Sequence, residues 1–239
     1  MINTNIINEI KMHAVDVDWN LAFGGKSKGN RHLFRVNKIA RFLAQKEKAN
    51  IDITIAGAWL HDIGLAVGDD KEPEKIRKIA EKFLKSLNLS TEEIQQIADC
   101  VESHEGTVTP KSLEAQIVHD SDVLDKMGPL GVVRHTWKVT NLINKNAQSE
   151  EILSILKSHL QWRESRLFTP TAQHLAHKFD CILDSFFNDK RVALSTISQI
   201  KLLAQEGFTT ERIVRRLIKG RKDEFAQAIT RQVKCEFLI

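Results

Sequence analysis

Proline, glycine and cysteine are all scarce in this sequence of 239 residues, and its apolar runs are short. Four prolines and 11 glycines leave little room for flexible linkers or low-complexity segments. Cys100, Cys181 and Cys235 are odd in number and far apart, which argues against a disulfide framework or a zinc knuckle. No apolar run approaches the roughly 18 residues of a membrane span, and the first residues do not resemble a signal peptide. We therefore expect a cytoplasmic protein with reduced thiols and no membrane partner.

Charge is nearly balanced along the chain except at its C-terminal end. Lys and Arg number 35 and Asp and Glu 31, which gives a formal net charge of +4. Residues 201–239 alone contain nine Lys or Arg and five Asp or Glu, so this segment accounts for the whole excess. The asymmetry predicts a local basic surface and not a protein built throughout for nucleic acid. Residues 215–222 are interpreted as a solvated basic face, with an anionic partner as the alternative.

Nearly every periodic segment has the spacing of an α-helix, and no convincing β alternation is present, so the sequence predicts an all-α fold. Asp52 is expected to cap a central apolar helix and Gly64 to end it. Residues 90–93, Ser-Thr-Glu-Glu, form a capping box for another helix. Further helix starts are predicted at three positions where proline occupies the first turn and at one aspartate: Pro73, Thr109-Pro110, Thr169-Pro170 and about Asp223.

Four polar side chains fall at positions that these helices should bury. His32 begins an apolar stripe of one helix, His61 and Asp62 end the central helix, and Asp122 lies on the buried stripe of a later one. Burial of imidazole and carboxylate groups is costly unless something pairs with them. Two imidazoles and two carboxylates form a mixed nitrogen and oxygen site suited to one divalent cation, and Mn, Mg, Fe, Co, Ni and Zn all remain open.

The sequence around these residues resembles that of the HD-domain metal-dependent phosphohydrolases. The resemblance rests on residues 32–36 (His-Leu-Phe-Arg-Val), 58–64 (Ala-Trp-Leu-His-Asp-Ile-Gly), 102–105 (Glu-Ser-His-Glu) and 120–128 (Asp-Ser-Asp-Val-Leu-Asp-Lys-Met-Gly). It covers roughly residues 20–190 and implies an HD-domain helical bundle with the metal site at its centre. We assign this domain to residues 1–190. The resemblance also implies hydrolysis of phosphate esters or anhydrides. Residues 191–239 are expected to form an appended C-terminal helical unit.

Departures from the family pattern leave the catalytic roles open. Binuclear members have further histidines between the His-Asp pair and the last Asp, whereas here only His104 is a candidate, so one metal is favoured with His104 near the phosphate or the attacking water. The glutamate that nucleotidase members carry after the pair is missing, and Glu105 or Asp70 would replace it. The alternative is that the general acid or base role falls to His104 or Asp125.

Phosphate binding requires cations, and arginine fits phosphate in bidentate fashion. Arg31, Arg35, Lys126 and Arg134 flank the proposed ligands and are the candidate substrate-binding residues.

Other residues receive structural interpretations. Trp59, Trp137 and Trp162 are expected in the core. His119-Asp120 is expected to be partly exposed, although Asp120 is a candidate to orient a metal ligand. His174 and His177 share a helix face, which is interpreted as solvated and not as a metal site.

The sequence thus predicts a metal-dependent phosphohydrolase that acts on a small phosphorylated molecule, with a nucleotide favoured and nucleic acid less so. The rival is a non-catalytic module that keeps the HD fold and senses a nucleotide or nucleic acid through its basic tail.

Overall fold

The computed structural model describes residues 1–68 and 72–239, except for the side chains of residues 161, 164 and 180. The described residues contain α-helices and shorter helical turns and no strand, which confirms the predicted all-α class. The helices are α1 (Thr4–Asp16), α2 (His32–Glu47), α3 (Ile51–Leu60), α4 (Pro73–Lys85), α5 (Thr91–Ser103), α6 (Leu113–Asp125), α7 (Gly128–Lys138), α8 (Ser149–Glu164), α9 (Pro170–Asn188), α10 (Lys190–Gln205), α11 (Thr210–Ile218) and α12 (Glu224–Lys234).

The chain forms two compact units. Unit 1 comprises Met1–Asp122 and Phe168–Ala172, and unit 2 comprises Val123–Leu167 and Gln173–Ile239. The division of the sequence at residue 190 into a phosphohydrolase domain and an extension stays a prediction. No helix in the described part of the chain is both long and apolar enough to span a membrane.

Unit 1 is built around α3, which packs against α1, α2 and α5. Every residue of α3 from Ile53 to Leu60 is buried, as its nearly continuous apolar sequence predicts. Gly57 permits the close approach of α5, because a Cβ atom at this position would lie 2.6 Å from the Cβ of Cys100. The position of α3 is therefore fixed by a contact too close for any larger residue.

The ends of α3 differ from the sequence prediction. Asn50, not Asp52, is the N-cap, and its Oδ1 accepts hydrogen bonds from the backbone N–H groups of Asp52 and Ile53 at 3.1 and 3.3 Å. The α-helix ends at Leu60, and a 3₁₀ segment, His61–Val67, continues to Gly68 at φ 72°. Gly64 is thus inside a tighter helix and is not the stop.

Other helix starts are a mixture of confirmed and wrong predictions. Pro73 and the capping box at residues 90–93 begin α4 and α5 as expected. The start predicted at Thr109-Pro110 is wrong, because α6 begins at Leu113 and Ser112 Oγ accepts from the backbone of Ala115 at 3.1 Å. Pro170 begins α9 and Asp223 caps α12, as predicted.

Unit 2 has its own core, formed by apolar residues of α7, α8, α10, α11 and α12. Gln232 of α12 joins this unit at the start of α7, where its side chain accepts from Leu130 N at 2.8 Å and donates to Met127 O at 3.0 Å. Trp59 in unit 1 and Trp137 in unit 2 are buried as predicted, but Trp162 is 48% exposed, so its assignment to the core is wrong.

Candidate metal centre

The four predicted metal ligands converge in unit 1 from three elements. His32 is the first residue of α2, His61 and Asp62 begin the 3₁₀ segment that follows α3, and Asp122 lies in the last turn of α6. All four are buried, with exposures of 2%, 0%, 8% and 1% in chain order. The apolar helices therefore enclose a small group of polar atoms.

The atoms that could bind an ion lie close together. The Nε2 atoms of His32 and His61 are 3.2 Å apart, and Asp122 Oδ1 lies 3.1 and 3.6 Å from them respectively. These three residues form a candidate metal site. Asp62 Oδ2 completes the group at 3.4 Å from both Nε2 atoms.

This arrangement fits a divalent cation. Ligand bonds of about 2.0–2.2 Å place neighbouring ligands roughly 3–3.5 Å apart, which agrees with the separations among these four residues. The carboxylate oxygens of Asp62 and Asp122 only accept hydrogen bonds, so they cannot satisfy one another. A cation at their common centre would satisfy both carboxylates and both imidazoles, although the ligand assignment itself stays a prediction.

The orientation of His61 supports the same interpretation. Its Nδ1 lies 2.8 Å from the carbonyl oxygen of Ala58, which can only accept, so the ring proton is on Nδ1. Nε2 then presents its lone pair to the centre. A backbone carbonyl that fixes the tautomer and the ring plane in this way is the usual outer partner of a metal-binding histidine.

His104 lies beside the centre without joining the closest group. It caps the end of α5, is 1% exposed, and places Nε2 4.0 Å from Asp62 Oδ1 and 3.8 Å from Glu105 Oε1. Its Nδ1 donates to Val101 O at 2.6 Å, which leaves Nε2 as an acceptor in the neutral ring. This position agrees with a role for His104 near the phosphate or the attacking water and not as a metal ligand. That role and the role of Glu105 stay predictions.

The remaining predicted residues are divided between the two units. Arg31 and Arg35 are in unit 1, where Arg31 lies over the ring of Phe34 at 4.8 Å and Arg35 is 4% exposed on α2. Asp125, Lys126 and Arg134 belong to unit 2, in which Asp125 Oδ2 pairs with Arg134 Nη1 at 3.2 Å. Their catalytic and substrate roles stay predictions. Asp70 lies outside the described residues.

His119 and Asp120 are fully buried, so the expectation of partial exposure is wrong. His119 Nδ1 donates to the backbone oxygen of His104 at 2.6 Å and thereby holds the end of α5. Asp120 accepts from the backbone of Phe168 and from the backbone and hydroxyl of Thr169 at 2.7–2.9 Å. Burial raises the pKa of Asp120 to about 6, although these hydrogen bonds act in the opposite direction. The sequence offered one signal for this burial: His119 lies three residues before Asp122, which places both side chains on the same face of α6.

A π-helical turn, Val17–Leu21, is a further feature that the sequence did not indicate. It packs against the 3₁₀ segment that carries His61 and Asp62, and its Asp18 is 3% exposed. The backbone oxygen of Asp18 accepts from the Ser27 hydroxyl, and Trp19 Nε1 donates to Asn30 O at 2.9 Å. These contacts attach residues 27 and 30, in the segment before His32, to the π-helical turn that packs against the 3₁₀ segment.

Comparison with known proteins places this geometry in a family. Residues 30–127 match the family model of the HD domain, and this segment contains all four candidate ligands and His104. This segment of the chain is an HD domain.

Solved structures share the fold of this protein over most of the chain. A Lactobacillus plantarum protein is 24% identical with a TM-score of 0.62, and the match covers 80% of this chain and 97% of that one. A predicted HD superfamily hydrolase from an uncultured Thermotogales bacterium is 22% identical, with a TM-score of 0.53 over 76% and 88%. Bacillus subtilis YpgQ in complex with ADP is 20% identical, with a TM-score of 0.59 over 76% and 91%.

A curated relative matches a shorter stretch. Ribonuclease Y of Finegoldia magna is 26% identical over 125 residues, which cover 51% of this chain and 22% of that protein. The chain therefore spans about a fifth of the length of this relative, and the likeness concerns one segment of it.

Proposed function

We propose that the protein is a metal-dependent phosphohydrolase that cleaves a phosphate ester or anhydride of a small phosphorylated molecule, with a nucleotide as the favoured substrate. The observation that carries the proposal is the buried group of His32, His61 and Asp122, in which the three donor atoms lie 3.1–3.6 Å apart. Asp62 at 3.4 Å from both imidazoles extends the set to four.

A divalent cation held by these residues would polarise a phosphoryl oxygen and lower the pKa of a water molecule. The protein itself supplies the proton acceptor. His104 Nε2 faces Asp62 and Glu105, and a neutral ring at this position can accept a proton from the attacking water or return one to the leaving group. The carbonyl of Val101 holds the His104 ring in the required tautomer.

Arginines near the first ligand support binding of an anion. Arg35 follows His32 by three residues on α2, so both side chains lie on the same face of the helix. Its guanidinium group is buried and suits bidentate contact with a phosphate. Arg31 directly precedes α2 and is exposed, which suits contact with a more distant part of the substrate.

Two of the similar proteins support a phosphorylated substrate. YpgQ was solved in complex with ADP, and the curated relative is named a ribonuclease. ADP has a phosphoanhydride bond and RNA has phosphodiester bonds, so both are consistent with chemistry at a phosphoryl group. The nucleotide is favoured because a small substrate requires only the cations adjacent to the centre.

The test combines metal content with turnover. The purified protein is expected to contain about one equivalent of divalent metal and to release product from at least one of four substrate classes: nucleoside mono-, di- and triphosphates, and an oligoribonucleotide. His61→Ala is the matched control and should lose both metal and turnover. A protein that binds metal but turns over nothing would be a binding module, and a protein without affinity for divalent metals would overturn the proposal.

A further inference from the structure

Helix α11 carries a row of exposed cations on one face. Arg212, Arg215 and Arg216 are exposed and lie at the spacing of neighbours on the helix surface, and the exposed Lys219 directly follows the last residue of the helix. The acidic residue of this helix, Glu211, is 8% exposed and accepts a hydrogen bond from Thr210 Oγ1 at 3.0 Å. The exposed face of α11, here named the α11 stripe, is therefore entirely positive.

Two cations of the stripe are held on the same aromatic ring. The guanidinium groups of Arg212 and Arg216 lie 4.6 and 5.0 Å from the ring centroid of Phe208. The Phe208 side chain packs against the core of unit 2, and its carbonyl oxygen accepts from Trp137 Nε1 at 3.0 Å. Stacking restricts the rotamers of both arginines, so less conformational entropy is lost when they bind a ligand.

The stripe cations differ from Arg77 and Arg221, which both have acidic partners. Arg77 pairs with Glu81, Asp99 and Glu102, and Arg221 pairs with Asp223. In the part of the chain that the structure describes, none of the four stripe cations has a carboxylate within ion-pair distance. Like charges at a spacing of four residues destabilise a helix, and a bound anion would remove that repulsion.

We propose that the α11 stripe binds the sugar–phosphate backbone of a single-stranded nucleic acid. Arginine matches phosphate oxygens through paired N–H donors. Arg212 to Arg216 span four residues of helical rise, about 6 Å, and Lys219 extends the stripe past the end of the helix. A single mononucleotide would leave most of the stripe without a partner.

A membrane surface fits the stripe less well. Helices that lie on membranes insert exposed apolar side chains between the lipids. In α11 the apolar residues Ile213, Val214 and Leu217 are 0–3% exposed and belong to the core of unit 2. The helix therefore offers charge to its partner without an apolar face. The inference is independent of any catalytic activity of the HD domain.

Fluorescence anisotropy of the full-length protein with a labelled 20-nucleotide single-stranded RNA tests the proposal, and a DNA strand of the same sequence tests selectivity for RNA over DNA. EDTA is present so that binding is measured without turnover. Arg212→Gln/Arg216→Gln should weaken binding about tenfold, and the slope of log affinity against log salt should fall by about 1.4. Arg215→Gln/Lys219→Gln, which leaves the Phe208 stack intact, should have a similar effect.

Lys82→Gln/Lys85→Gln is the charge-matched control, because both lysines are exposed on α4 in unit 1. It should keep the wild-type affinity and salt slope, and circular dichroism should show the same helix content for every variant. An equal loss of affinity in this control would show that binding depends only on the net charge of the protein, and it would overturn the proposal. The proposal also fails if neither strand binds at low salt while vesicles containing phosphatidylserine do.

Discussion

The two oxygens of Asp62 face different groups. Oδ2 lies 3.4 Å from the Nε2 atoms of both His32 and His61, whereas Oδ1 lies 4.0 Å from His104 Nε2. Asp122 has a more enclosed position, and its Oδ1 approaches the same two imidazoles. Asp62 is therefore the residue through which an ion at the centre and the His104 ring would influence each other.

Asp62→Ala should remove the metal and abolish hydrolysis while the protein remains helical. The variant keeps only three donor atoms and loses one of the two negative charges of the site. The affinity for a divalent cation depends on that carboxylate charge. Elemental analysis of the purified variant measures the outcome. Asp52→Ala, an exposed position on the helix that precedes the centre, is the control and should retain full metal content. An unchanged metal stoichiometry in Asp62→Ala would falsify the ligand assignment.

His104→Ala should give a different result from Asp62→Ala. Because His104 lies beside the centre, the variant should keep its metal and its fold and lose about 10²–10⁴ in kcat, the usual contribution of a general acid or base. Single-turnover assays together with metal analysis separate these effects. His174→Ala, an exposed histidine of unit 2, should change neither. Loss of metal would make His104 a ligand, and full activity would remove it from the catalytic group.

At the scale of single elements, the parts that sequence could predict are those governed by local periodicity. The burial of α3 follows from its apolar residues, and the caps of α5 and α12 follow from short-range hydrogen bonds. The predicted N-cap of α3 was wrong because two suitable residues, Asn50 and Asp52, lie two positions apart. Their N-cap propensities are too similar to choose between them.

The environment of residues 119 and 120 could not be predicted from local pattern. His119 and Asp120 bind the backbone of residues 104, 168 and 169, which are 15 to 49 positions away in the chain. Their burial depends on tertiary contacts that no periodicity encodes. The burial of the four candidate ligands was predictable because each lies on an apolar helical stripe or at the end of an apolar helix.

Gly57→Ala tests how closely α3 and α5 must approach. In a free helix the change would be favourable by about 1 kcal/mol, because alanine has the higher helix propensity. Here the added Cβ would lie 2.6 Å from Cys100 Cβ and 3.3 Å from Val118 Cγ2. Overpacking of this kind costs about 1–3 kcal/mol. We therefore expect a lower free energy of unfolding in urea, and a stabilised variant would contradict the packing described for α3.

At the scale of the whole molecule, the last 50 residues supply a large part of the core of unit 2. Ile197, Ile200, Ile213 and Ile229 are fully buried in one cluster with residues of α7 and α8. Burial of each stabilises the fold by about 1.5–3 kcal/mol, so the four together contribute about 6–12 kcal/mol. That sum is comparable to the entire stability of a typical domain, about 5–15 kcal/mol.

Truncation after Asp189 should therefore produce aggregation or loss of helical signal beyond the deleted residues. Solubility, circular dichroism and binding of an apolar dye measure the outcome. A soluble truncated protein that unfolds cooperatively and excludes the dye would show instead that residues 191–239 are a separable extension.

Unit 2 also contains a pair of histidines that should make stability depend on pH. The rings of His135 and His159 stack with centroids 3.9 Å apart, and Arg163 Nε donates to His159 Nε2 at 2.9 Å, which requires a neutral ring. Burial, assisted by the nearby Arg163 and Lys138, lowers the pKa of His135 to about 4 and that of His159 to about 3.

In the unfolded chain both histidines titrate near pH 6.5, so below that pH the unfolded state binds more protons than the folded state. The contribution of the pair to stability is complete above about pH 6.5 and is lost as the pH falls towards 4. His135→Phe retains an aromatic ring without the titrating group and should lose less stability between pH 7 and pH 5 than the wild type. Urea unfolding midpoints at the two pH values measure this difference. His174→Phe removes an exposed histidine instead and should follow the wild type, whereas equal acid sensitivity in His135→Phe would remove His135 as a source of the pH dependence.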